Sequence, residues 1–163
     1  MIISKLKKEI TSSDYIFKDV VVCGKKVNLI FNEVLTDGGS INEFLYYLLT
    51  KVSKSDLKNF NFKIPNSNSI IIKYDDIINY LNLGYVIIIY KNIYAIEIKS
   101  HDGRGVQTIN SELSIGGAKD SFCENINTNL SLIRKRIKRD LMVRSLNIGR
   151  ISKTKVEVLS VSN

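Results

Sequence analysis

The sequence predicts a mixed α+β chain: a small mixed sheet built from hairpins and covered by short helices. Three observations lead there. Two pairs of β-branched and aromatic runs are each joined by a short turn, at 15–35 and at 85–99. The run Tyr85–Tyr90 is apolar throughout, which belongs to a central strand with both faces covered. Helical periodicity alternates with these strands in short segments, so the sheet is layered by helices rather than closed into a barrel.

In chain order, residues 1–14 read as a short basic helix or arm. Tyr15–Leu35 follows as a hairpin turning at Gly24-Lys25-Lys26, where glycine supplies the unusual dihedral. Asp37-Gly38-Gly39 ends it, and Ser40 caps a helix carrying Ile41, Phe44, Leu45, Leu48 and Val52 on one side. Residues 53–69 hold the only proline, Pro65, and read as a loop with room for one helical turn. Ile70–Tyr74 is a short strand, and Asp75 caps a small helix that Gly84 stops. The runs YVIIIY and IYAIEIK then flank Lys91-Asn92, a pair suited to a type I′ turn. Residues 100–119 show no period and read as a long loop. A helix is expected from Ser121 to about Arg139, opened by a Ser121-x-x-Glu124 capping box. Strands at 145–149 and 155–161 close the chain.

With 163 residues, 44% hydrophobic and 25% charged, the chain has the length of one domain and can bury a core without metals or disulfides. Disordered, collagen-like and membrane-spanning classes are excluded by the same composition and by the lack of any long apolar run. Cys23 and Cys123 lie far apart with no CxxC and no adjacent histidine, so they read as free thiols. The net charge of +8 is localised. Nine basic residues between Ser131 and Lys155 are opposed by Asp140 alone, and the rest of the chain is neutral. That stretch faces something anionic or a partner.

Catalytic and metal-binding patterns are missing from the sequence. His101 is the sole histidine, beside Ser100 and with no nucleophile–base–acid context around it. Asp75-Asp76 is a capping pair rather than a ligand set. The glycines at 103–105 and 116–117 fit neither the Walker loop nor the dinucleotide fingerprint. No cofactor is expected, and no enzymatic activity.

On a helical wheel at about 100° per residue, Phe122, Ile126, Leu130, Ile133 and Ile137 share an arc of about 80° that should face the sheet. Arg134, Lys135, Lys138 and Arg139 then point away and form a partner or membrane surface. On this reading Arg134→Glu with Lys138→Glu leaves folding intact. Asn125, Asn129 and Arg136 fall together at the edge of the stripe, a seam suited to anchoring a loop or holding a carboxylate, with Arg104 within reach of the same place.

The segment Gly117-Ala118-Lys119-Asp120-Ser121-Phe122, Glu124-Asn125 and Asn129, the basic run Leu132-Ile133-Arg134-Lys135-Arg136, and Ile148-Gly149 with Ser152, Thr154 and Val156 resemble the A-subunit family of spore germination receptors in order and spacing. The resemblance implies the first subdomain of a larger receptor subunit, with the second subdomain and membrane part absent from these 163 residues. It implies the spore inner membrane as location, with this domain on the cytoplasmic side. It further implies B and C subunits and other A subunits as partners, and a small-molecule nutrient germinant. From the charge alone, a nucleic-acid-binding or anionic-membrane-binding module is the alternative. Nucleic acid is disfavoured, because the basic helix carries no interleaved aromatics for base stacking.

Overall fold

The computed structural model describes residues 2–59, 69–98, 122–138 and 140–161. Five strands form one sheet in the order β1-β2-β4-β5-β3, and a separate two-stranded ribbon pairs β6 with β7. The strands are β1 (Tyr15–Val22), β2 (Lys25–Asn32), β3 (Ser69–Ile71), β4 (Tyr85–Ile89), β5 (Ile93–Glu97), β6 (Leu141–Ile148) and β7 (Thr154–Val161). Every pairing is antiparallel. The helices are α1 (Ile2–Glu9), α2 (Gly38–Thr50), α3 (Lys54–Asn59), α4 (Ile77–Asn82) and α5 (Ile126–Arg136), with a 3-10 turn at Tyr74–Asp76. This is the mixed α+β class the sequence predicts.

The apolar run of β4 explains the layering. Adjacent strand residues point to opposite faces, so a strand without polar positions needs cover on both. Val86 and Ile88 pack with Val27, Leu29 and Phe31 of β2 and with Ile41, Phe44 and Leu48 of α2. Ile87 and Ile89 pack on the other face with Leu6, Ile10, Ile77 and Leu81, from α1, the residue just after it, and α4. The predicted α2 stripe, Ile41, Phe44, Leu45, Leu48 and Val52, is buried in full. Its cap differs from the expected one. Asp37, in extended conformation, accepts from the Ser40 amide through Oδ2, so the helix starts at Gly38.

Turn chemistry holds at one hairpin and not at the other. Cys23 (φ 51°) and Gly24 (φ 77°) form the two-residue turn between Val22 and Lys25, both in the left-handed region a type I′ turn requires. This lies one residue before the expected position. Between β4 and β5, Ile89 pairs with Ile93, so the connection has three residues, and neither Lys91 nor Asn92 has a positive φ. Gly84, with φ 80°, ends α4 as predicted, its amide donating to the Leu81 carbonyl. Asp75 does not cap α4. Asp76 occupies that position without a side-chain hydrogen bond. Both cysteines are free thiols and half-buried.

The C-terminal part departs most from expectation. Helix α5 begins at Ile126, capped by Asn125. Ser121 and the long loop 100–119 lie outside the described residues. Phe122 is 66% exposed and Ile137 is also exposed. Burial runs instead through Leu130, Ser131, Leu132 and Arg134. Leu130 packs with Val34, Leu35, Leu141 and Val143 in a third, smaller cluster that joins α5 and the root of β6 to the end of β2. Beyond Val143 the β6–β7 ribbon is mostly exposed.

The two-faced cover of β4 makes a direct prediction. Ile88→Ala, at a site with no exposure, should lower the unfolding free energy by about 2–5 kcal/mol. Ile151→Ala, at the solvated apex of the ribbon, should change it by no more than about 0.5 kcal/mol. Urea unfolding of the two variants checks both values.

Candidate functional site

The site grows from a short segment between α1 and β1, Ser12-Ser13-Asp14. Ser13 donates to the Val143 carbonyl through its amide (2.9 Å) and its hydroxyl (3.0 Å). Ser12 Oγ accepts from the Val143 amide at 2.8 Å. Both backbone groups of Val143 are thus held, and the root of β6 is fixed to the start of β1.

Asp14 is 2% exposed and its carboxylate accepts four hydrogen bonds. Oδ1 takes Ser12 Oγ at 2.6 Å and Arg134 Nη2 at 2.8 Å. Oδ2 takes Asn32 Nδ2 at 2.8 Å and Arg134 Nε at 2.8 Å. Arg134 is likewise 2% exposed and grips Asp14 bidentately, while Nη2 also donates to Ser12 Oγ at 2.9 Å. Its guanidinium carbon lies 5.2 Å from the centroid of the Tyr15 ring. Asn32 completes the set: its Oδ1 accepts from the amides of Val34 and Leu35, and its carbonyl from Thr36 Oγ1 at 2.7 Å. The Tyr15 hydroxyl donates to Asn82 Oδ1, which ties in α4. Burial pushes the Tyr15 phenol above its ordinary pKa, and the charge of Arg134 offsets part of that rise.

Arg134 therefore requires a correction. The sequence places it on a solvent-facing partner or membrane surface with Lys135, Lys138 and Arg139, whereas it is among the largest fully buried side chains. The physical reason is that a carboxylate, a hydroxyl and a tyrosine face converge where it enters, so the charge is paired rather than stranded. Lys135 and Lys138 are exposed, and Arg139 and Arg104 lie outside the described residues.

The three residues of the expected seam each bond to backbone groups of α5 or of the segment before it. Asn125 Oδ1 accepts from the Asn127 and Thr128 amides as the N-cap of α5. Asn129 folds the preceding segment back, accepting from the Cys123 amide at 2.8 Å and donating to its carbonyl at 2.7 Å. Arg136 donates to the Leu132 carbonyl one turn earlier. The loop that this seam was expected to anchor lies outside the described residues.

Beside the Arg134–Asp14 pair lies a pocket of about 200 Å³, lined by residues that include Thr11, Tyr15, Asn82, Arg134, Asp140 and Met142. The volume suits a small molecule at most. Among the described residues no cluster of His, Cys, Asp or Glu could hold a metal ion, and no helix is long and apolar enough to cross a membrane. Sequence reasoning missed Ser12, Asp14, Tyr15 and Asn32. The helical wheel held a signal for Arg134 alone, which lies just outside the apolar arc, only about 40° from Leu130.

Two consequences are measurable. Arg134→Met should cost about 3–5 kcal/mol in urea unfolding, because it strands the Asp14 carboxylate, and adding Asp14→Asn should recover part of the loss. Arg134→Glu with Lys138→Glu, harmless on the sequence reading, should fail to fold, with no cooperative thermal transition, because it sets two carboxylates together in the interior.

The sequence profile described as the Bacillus/Clostridium GerA spore germination protein matches residues 1–163. Spore germination protein XA of Bacillus anthracis is 33% identical over 111 residues, which is 66% of this chain and 21% of that protein. Spore germination protein GerQA of Bacillus cereus is 23% identical over 156 residues, 92% of this chain and 31% of that protein. The chain thus spans about a fifth to a third of these relatives' length. Among solved structures, the N-terminal domain of the A subunit of the Bacillus megaterium spore germinant receptor GerK3 has the same fold. It aligns with a TM-score of 0.64 at 21% identity, over 98% of this chain and 62% of that one. With the profile matched along the whole length, the chain belongs to the Bacillus/Clostridium GerA spore germination protein family.

Proposed function

We propose that this chain is a non-enzymatic module of a nutrient germinant receptor A subunit. In this reading it takes part in germinant sensing, or passes the signal on through contacts with other subunits, as the first subdomain of a longer protein. Family membership supports a place in germination. Its partners would be the receptor's B and C subunits and other A subunits, and its setting the inner membrane of the spore, with this domain on the cytoplasmic side.

One observation carries the relay reading. Helix α5 and the β6–β7 ribbon meet the sheet through a small apolar cluster and a polar junction, the Arg134–Asp14 pair with the Ser12–Ser13 hold on Val143. A junction made of a few directional bonds has discrete made and broken states. Anything that binds the ribbon, or enters the pocket beside Arg134, and prefers one state shifts the other end of the module.

Spores expressing the Arg134→Lys receptor test this. Lysine keeps the charge and loses the two-pronged grip on Asp14. The expected outcome is receptor protein near the parental level with at least a tenfold slower response to nutrient. Parental response at parental receptor level would refute the relay, and a slow response explained wholly by lost receptor would reduce the junction to a structural role.

A further inference from the structure

The β6–β7 ribbon ends in a feature that neither the fold nor the junction uses. Between Ile148 and Thr154 the chain turns through Gly149-Arg150-Ile151-Ser152-Lys153, closed by the Lys153 amide donating to the Gly149 carbonyl at 3.2 Å. Gly149 (φ 93°) and Lys153 (φ 45°) take left-handed conformations, which makes the apex a defined turn. At its outermost point Ile151 is 96% exposed. Arg150 and Lys153 flank it, and Arg144 and Lys155 follow along the two strands, all exposed. The sole acidic residue of 141–161, Glu157, has its side chain buried against Ser145 and Lys155. Among the described residues the apex therefore shows only positive charge around one bulky aliphatic group. Behind it, Leu146, Ile148 and Val158 lie exposed, and pairing of Leu146 with Val156 and Ile148 with Thr154 sets them on one face of the ribbon.

We propose that this apex docks on an anionic lipid bilayer, with Ile151 entering the interface and Arg150 and Lys153 bound to headgroups. A convex tip with an apolar point and a cationic collar matches a soft, negatively charged surface, which yields around it. The long basic side chains can lie along the interface with their charges at headgroup level while the isoleucine goes deeper. A single-stranded nucleic acid would be met by stacking, and 141–161 contains no aromatic residue. The site is separate from α5, whose basic run is interrupted by the buried Arg134.

Sedimentation of the 163-residue chain with phosphatidylcholine vesicles containing about a third phosphatidylglycerol, at low and high salt, tests the proposal. Binding is expected to the anionic vesicles only, and to weaken with salt. Arg150→Ser with Lys153→Ser should weaken it by about fivefold per residue, and Ile151→Asp by about tenfold or more. The chain has no tryptophan, so Ile151→Trp adds one reporter whose emission should shift to the blue on contact with anionic vesicles. All these positions are exposed, so unchanged thermal melts should accompany the losses. Equal binding by the parent and the variants would overturn the proposal, as would equal binding to pure phosphatidylcholine. So would duplex DNA captured through Arg150 and Lys153 while vesicles are not, or a self-association that Ile151→Asp abolishes with no vesicle binding in the parent.

Discussion

The bidentate contact between Arg134 and Asp14 is the constraint on which the relation between the two parts of the molecule depends. Two charges removed from water are tolerated only when geometry is good and the remaining polar atoms are satisfied. Both conditions hold: Asp14 accepts from Ser12 and Asn32 as well as from Arg134, and the guanidinium also reaches Ser12. Each auxiliary partner belongs to a different element. The pair consequently fixes the α1–β1 segment, the end of β2 and α5 in one arrangement, and Ser12 and Ser13 bring in β6.

A buried ion pair is a weak source of net stability, since apolar residues of similar volume often serve as well. Its distinguishing property is directionality. The sheet already has two apolar faces closed by α2 on one side and by α1 and α4 on the other. Among the described residues the C-terminal unit has the cluster of Val34, Leu35, Leu130, Leu141 and Val143, with Ile133 packed against it. With so little apolar area, the bonds at Arg134 set where α5 and the ribbon sit. The ribbon then extends from the body as a lever whose root is the junction and whose apex carries Ile151. The two proposals concern opposite ends of that lever, and each can fail without the other.

What could be read in the sequence was local. The unbroken apolar run of β4 demanded cover on both faces, and the i, i+3, i+4 spacing of α2 placed five side chains inward, because burial there follows directly from period. Gly84 as a helix stop was legible because a left-handed residue after the last turn favours glycine. Choices between neighbouring chemical equivalents were not: Asp37 and Ser40 are both good caps, and the helix took the one whose carboxylate reaches the Ser40 amide. Arg134 was hidden by distance. Its partner is 120 positions away, and in a run of cations the default for each is solvent. The resemblance to the family pointed to the right helix, while the residue in it that matters to the junction became visible only with Asp14, Ser12 and Asn32 around it.

The central claim is that α5 and the root of β6 form a unit held to the sheet by the Arg134 junction. Native-state amide hydrogen exchange addresses it most directly, because it resolves opening free energies residue by residue. The account predicts that the amides of α5 and of Val143 open together, at lower free energy than those of β2 and β4. It also predicts that Arg134→Lys lowers the first group while leaving the second near its parental value. A single opening free energy shared by α5, Val143 and β4, lowered equally throughout by the substitution, would contradict it.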